Sequence, residues 1–189
     1  MADVPATLAL QAFRFEVRLT RSPVLEAAGA GQQQSVRTGS EQLGDGGFQE
    51  CTGLELEADI REYLEGGRND TVIRRVGRVK LQPIVLKRGM FAPSPSAPAG
   101  SAGSGPGGDR VIPDLWLWLQ DMVAGRLPIP RFDGLVTVRG PSGEEPRATW
   151  RFVRGLPLKV VGPALNAKTG ELAIEELHVA HEGLWLETR

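Results

Sequence analysis

The chain has one cysteine, Cys51, and two histidines, His178 and His181, among its 189 residues. A single thiol excludes an internal disulfide framework and a multi-cysteine zinc site, and it fits a reducing compartment. An excess of either charge is also missing: 22 lysines and arginines stand against 23 aspartates and glutamates. There is therefore no global basic field of the kind that gathers nucleic acid or anionic membrane. No apolar run approaches the ~20 residues that cross a bilayer. The opening MADVPATLALQAFRF lacks a basic segment followed by a long apolar one. No Sec-type signal peptide is expected, and synthesis in the cytosol is.

A catalytic set is missing too. On a strand, His178 and His181 would point to opposite faces and could not share a metal. On a helix they would still need a third ligand in fixed geometry, for which Glu175 and Glu182 are the neighbours. Cys51 has no local partner to activate it and reads as a structural thiol. The segment GRNDTVIRR, from Gly67, lacks the lysine-serine ending and the preceding apolar strand of a phosphate-cradling loop. These absences predict no enzyme activity, no cofactor and no metal.

What is present is an ordinary globular composition, 41% hydrophobic and 24% charged, in a chain long enough to bury one sizeable core. Two segments break the pattern. Residues 23–47 are rich in Gly, Gln and Ser, and residues 92–109 are almost wholly Pro, Ala, Gly and Ser. Such segments bury too little apolar surface to offset chain entropy, and both are predicted to be mobile insertions in a single domain spanning 1–189.

Between the insertions, period-two alternation dominates. Phe13, Phe15, Val17 and Leu19 share a face opposite Arg14, Glu16 and Arg18. Leu54, Leu56, Ala58 and Ile60 oppose Glu55, Glu57 and Asp59. Further strands are expected from Leu135, from Ala148 and from Leu158, bounded by Gly and Pro, and another across 171–181. One helix is expected over 114–124, with Asp114 as N-cap and Gly125 as terminator. Its apolar face is Leu115, Trp118, Leu119, Met122 and Val123. The four tryptophans are assigned to the core. Together these elements predict a mainly β protein, an antiparallel barrel or sandwich with one α-helix.

Residues 54–88 read as a long β-hairpin turning at EGGRND, residues 65–70. A register in which paired numbers sum to 135 sets Leu54 against Leu81 and Leu56 against Val79. It also sets Glu55 against Lys80 and Glu57 against Arg78, opposite charges worth ~0.2–1 kcal/mol each. The same register opposes Arg61 and Arg74, which counts against it near the tip. A two-stranded ribbon with an apolar face needs cover, either from its own body or from a neighbouring copy. The basic cluster RRVGRVK, with Arg74, Arg75, Arg78 and Lys80, finds its simplest use against the acidic strand before it.

The blocks FQECTGLELE, YLEGGRND, VKLQPIVLKRGM, LWLWLQDMVAG and GPALNAKTGELAIEELHVAHEGL, in that order and spacing, strongly resemble the tail tube proteins of contractile phages and contractile injection particles. The resemblance implies a barrel-like subunit that assembles into hexameric rings, stacked into a hollow conduit for DNA, effector proteins or a spike. It implies that the hairpin lines the channel, with Leu54, Leu56, Ile60, Val72 and Val79 packing against the body or neighbours. Charges at Glu55, Glu57, Asp59, Arg74, Arg78 and Lys80 would face the lumen or an interface. GPALNAK becomes a turn and ELAIEELHVAHEGL the closing strand. The implied partners are the chain itself, a sheath protein, baseplate or spike components and lumen cargo, with no membrane insertion. The two insertions depart from the compact pattern. They leave open a baseplate-proximal tube initiator, or a secreted hexameric carrier similar to the type VI tube component.

Overall fold

The computed structural model describes residues 12–23, 42–43, 47–64, 66–67, 70–90, 114–140, 145–168 and 170–187. In chain order the elements are β1 (Phe15–Arg21), β2 (Gln42–Leu43), β3 (Phe48–Thr52), β4 (Leu56–Tyr63), β5 (Ile73–Leu81) and β6 (Ile84–Gly89). After α1 (Asp114–Val123) come β7 (Phe132–Arg139), β8 (Pro146–Val161), β9 (Ile174–Ala180) and β10 (Gly183–Glu187). Every pairing among these strands is antiparallel. An eight-stranded sheet runs β2-β1-β7-β8-β9-β6-β3 with β10 also on β8, while β4 and β5 form a sheet of their own. Among the described residues the chain adopts the expected mainly β fold with a single helix.

Strand β8 organises the sheet. It was expected as two strands broken by Gly155 and Pro157, but it is one strand of 16 residues. Its first part pairs with β7 and β10 and its last part with β9. The bend falls where Arg154 adopts a positive φ of 53° and a register shift follows Pro157. Gly and Pro here mark a corner within a strand, as they do at bulges, and not its end. Strands β9 and β10 keep one register along β8, Leu156 opposite Ala180 and Val153 opposite Gly183. The closing strand thus continues past a break at His181–Glu182 to Glu187, further than the sequence suggested.

Alternation supplies the core. Val17 and Leu19 of β1, Ile84 and Leu86 of β6, Phe132 and Val136 of β7, and Leu177 and Val179 of β9 are all buried. Each such side chain removed from water is worth ~1.5–3 kcal/mol. The helix adds Leu115 and Trp118, and the Trp118 ring meets Phe132 edge-on at 4.9 Å. Trp118 Nε1–H donates to the Pro130 carbonyl at 2.8 Å. Three assignments change. Val123 is exposed and Asp121 takes a buried place, bonded to Arg126. Trp185 is 53% exposed on β10. Phe13 lies outside β1 and is exposed, under the Arg14 guanidinium. Gly125 does end the helix, at φ 68°.

Leu43 corrects the reading of the first insertion. It is fully buried and pairs with Leu19. The rest of that insertion apart from Pro23, Gln42 and Gly47, and all of residues 92–109, lie outside the described residues.

Charge also enters the interior. Arg88 follows Ile84 and Leu86 on the inward face of β6, and Glu175 precedes Leu177 and Val179 on β9, directly opposite it. Arg88 Nε donates to Glu175 Oε1 at 2.6 Å and Arg88 Nη2 to Asp114 Oδ1 at 2.8 Å. Trp116 Nε1–H donates to the second Glu175 oxygen at 3.0 Å. Burial works against the Arg88 charge, but hydrogen bonds and charges from Asp114 and Glu175 outweigh it and raise its pKa. The cluster ties β6, β9 and the start of α1 together.

Candidate assembly interface

The two strands that carry the hairpin begin inside the main sheet. Thr52 pairs with Val85 in β3–β6, and Leu56 with Leu81 in β4–β5. Both pairs keep the same register, so one ribbon leaves the body through a kink at residues 53–55 and 82–83. Gly53 makes the kink possible. It sits at φ 82°, and a β-carbon there would lie 2.2 Å from the Pro83 carbonyl oxygen. Only glycine tolerates both conditions at once. On the other arm, His181 Nε2 donates to the Gln82 carbonyl at 3.1 Å. That bond anchors the base of the hairpin to the break between β9 and β10.

The register differs from the one drawn from the sequence. Leu56 opposes Leu81, Glu57 opposes Lys80 and Ala58 opposes Val79; beyond a shift, Ile60 opposes Val76, Glu62 opposes Arg74 and Tyr63 opposes Ile73. Leu54 does not pair with Leu81 at all, but packs half-buried against the core. The cause of the shift is an extra residue on β5, a bulge at Gly77 and Arg78 opposite Asp59. A β-carbon on Gly77 would stand 2.7 Å from the Asp59 carbonyl oxygen.

That one extra residue re-sorts the faces. Leu56, Ala58 and Ile60 share a side of the ribbon with Leu81, Val79 and Val76, while Glu57, Asp59, Arg61 and Tyr63 share the other with Lys80, Arg75 and Ile73. Arg74 is thereby moved off the Lys80 side. It donates to Glu62 at 3.0 Å at the far end of the apolar side. Val72 and Glu55 lie just outside the paired strands. Val76 was missed from the sequence, and Arg75 reads there only as part of the basic cluster. The lone Gly77 inside a strand pattern was the available signal, since such a glycine marks a bulge.

On the charged side, Lys80 Nζ and Gln82 Nε2 each donate to Glu57 at 3.3 Å, and the Arg75 guanidinium lies 5.0 Å above the Tyr63 ring. These groups are exposed, so each pair adds little to stability. The apolar side is the anomaly. Leu56 is 60%, Ile60 56%, Val76 82% and Val79 60% exposed. A contiguous stripe of this kind is characteristic of an interaction surface, and among the described residues the outer edges of β4 and β5 pair with no further strand.

The polar candidates elsewhere do other work. His178 is on the outer face of β9 beside Glu176, at 2.5 Å, whereas His181 is buried against Phe152. The two rings therefore face different surroundings. Among the described residues no group of three potential ligands stands together. Burial pushes the Cys51 thiol up to about 12, which leaves it protonated and unreactive near neutrality. In GPALNAK the Lys168 amide donates to Asn166 Oδ1 at 2.9 Å, an Asx turn.

With the geometry in place, comparison with known proteins gives a consistent picture. A family profile described as the T4-like virus tail tube protein gp19 matches residues 11–97 and 111–185. It runs through the first predicted insertion without a break and leaves out part of the second. No curated protein matches the chain. A solved chain in the anti-feeding prophage cap (AFP tube terminating cap) is 18% identical, with TM-score 0.66 over 100% of this chain and 97% of that one. A chain from the sheath-tube complex of an extracellular contractile injection system, PVC, in the extended state is 16% identical. Its TM-score is 0.65 over 97% of this chain and 95% of that one. A chain in the AFP baseplate is 20% identical, with TM-score 0.66 over 96% and 97%. At such identities the likeness establishes the fold.

Proposed function

We infer the function from one premise: the chain belongs to the T4-like virus tail tube protein gp19 family and is a tail tube subunit, a structural component of a phage tail or injection particle. From there we propose that it acts by self-assembly, without catalysis or cofactor, as a single domain over 1–189 whose copies form hexameric rings stacked into a conduit. The carrying observation is the hairpin whose apolar side, Leu56, Ile60, Val76 and Val79, has no cover in the isolated chain. A neighbouring copy supplies both the cover for that side and strand partners for the free edges. The charged side, with Glu57, Asp59, Arg61, Arg75 and Lys80, then faces the lumen, where water solvates it.

Solved chains of the same fold occur in a sheath-tube complex and in a baseplate. This supports a sheath protein and baseplate components as outer and end partners. The test is electron microscopy of the purified protein, alone and with its particle components. Long hollow tubes or stacked six-fold rings would support the repeating tube subunit. A protein that joins only one end of a tube would instead identify an initiator, and free single rings would favour the secreted carrier.

A further inference from the structure

Away from the hairpin, the end of β1, the loop before β7 and the bend of β8 line a half-open cavity of about 170 Å³. Arg21, Arg131 and Arg154 line it, and Pro128, Ile129 and Pro130 form its apolar wall. We propose that this cavity receives a carboxylate side chain, an aspartate or glutamate presented by another subunit. That the carboxylate belongs to a protein subunit rests on the tube reading above; that the site takes an anion rests on the cavity alone.

The charge count favours an anion. Glu182 is shared by two of the guanidiniums, accepting from Arg131 Nη1 at 2.6 Å and from Arg154 Nε at 2.8 Å. The other nearby carboxylate, Asp133, accepts from Ser22 Oγ and from the Arg154 amide at 2.9 Å, and lies 3.9 Å from Arg151. Among the described residues four guanidiniums therefore meet two carboxylates, which leaves two positive charges in excess. Arg21 has no hydrogen bond or ion pair among the described residues, and Arg131 and Arg154 retain unused donors of their planar forks. Such forks match a carboxylate in bidentate geometry.

Size and rigidity narrow the ligand. Sites for drug-sized molecules and cofactors occupy ~300–1,000 Å³, so this cavity suits a single side chain or a small anion and not a nucleotide. The apolar wall fits a methylene stem and lowers the local dielectric, which strengthens a charged hydrogen bond beside it. The frame is already fixed. The Ser22 amide donates to the Arg131 carbonyl at 2.8 Å, Arg131 Nη1 to the Arg154 carbonyl at 3.2 Å, and Trp118 holds Pro130 from behind. A ligand thus meets Arg131, Arg154 and the Pro130 wall already in place, and only the Arg21 side chain has to be ordered on binding.

The test titrates the full chain with glutarate, and separately with inorganic phosphate, while following arginine Nε–H signals by NMR. Glutarate is expected to shift Arg21, Arg131 and Arg154 in a saturable way. Arg21→Ala is expected to weaken that response by about tenfold or more with no change in thermal midpoint. No saturable response, an equal response in Arg21→Ala, or saturation by phosphate but not glutarate would overturn the assignment. A second arm compares assembly of the wild type and Arg21→Glu. Assembly that needs lower salt or fails in the variant is expected, and unchanged assembly would overturn the role of the site between subunits. A wild type that never assembles would sink the tube reading, while the glutarate titration would still decide the cavity.

Discussion

Val76 and Val79 lie on the same side of the β4–β5 ribbon although they are three positions apart, because Val79 opposes Ala58 and Val76 opposes Ile60. In a regular strand an odd separation sends side chains to opposite faces. The bulge at Gly77 absorbs the extra residue and joins the two valines to Leu56 and Ile60. The apolar stripe thus depends on a backbone irregularity as well as on composition.

The stripe can be tested by adding charge to it. Leu56→Asp with Ile60→Asp alters side chains that are more than half exposed in the isolated chain. The monomer should keep its stability within about 0.5 kcal/mol, as exposed sites usually do, yet fail to form rings. Thermal melting and size-exclusion chromatography check the two halves. Normal rings from this variant would mean that the hairpin is not the interface.

The kink at the base has a different dependence. Gly53→Ala would force a β-carbon to within 2.2 Å of the Pro83 carbonyl at a positive φ. The backbone must move, at a cost of roughly 1–3 kcal/mol, and the hairpin would leave the body at a changed angle. A lowered melting temperature together with impaired assembly is expected. A fully stable, assembling variant would show that the kink is dispensable.

The buried cluster gives a prediction with a built-in control. Arg88→Met leaves Glu175 charged and interior, and should cost about 3–5 kcal/mol. Replacing Glu175 by Leu in the same chain removes the stranded charge and should recover much of that loss, as buried ion pairs often exchange for apolar residues at little net cost. Denaturant titration of the two variants checks this. A double variant no more stable than Arg88→Met would show that the cluster holds the helix by geometry that apolar packing does not replace.

Acid acts through β1 and β7. Hydrogen bonds from Arg139 and then Arg18, with a smaller opposing effect of burial, hold the Glu16 carboxyl below its ordinary value of 4.5. A lowered pKa in the folded chain means a contribution present above the unfolded value and lost as pH falls through the folded one. Glu16→Gln should therefore flatten the fall in melting temperature below about pH 4.5. Because Glu16 is partly exposed, the change should be small. Identical acid profiles for the two proteins would remove Glu16 from the account.

Much of this architecture is legible in the sequence. Alternation and turn residues place β1, β7 and, more coarsely, β9, whereas β6 reads as part of the hairpin; the helix is framed by Asp114 and Gly125 because caps and terminators act locally. What escapes is what depends on counting across a partner strand. The hairpin register is wrong from its base, and one bulge residue reverses the phase of half of β5. Arg88 and Glu175 are written on the core-facing positions of their strands, but a charge reads as surface until its counter-charge is known to lie opposite. Gly155 and Pro157 look like an end to β8 because a corner and a terminus need the same residues. Leu43 was hidden in polar surroundings, and the strand it pairs with, β1, lies across the first insertion.

The most direct measurement of the central claim is a cryo-EM reconstruction of the assembled particle, resolved well enough to follow side chains along the hairpin. The account predicts Leu56, Ile60, Val76 and Val79 buried against a neighbouring subunit, with Glu57, Asp59, Arg61, Arg75 and Lys80 facing the channel. Hairpins standing free of their neighbours, or apolar side chains lining the channel with the charged side packed away, would contradict it.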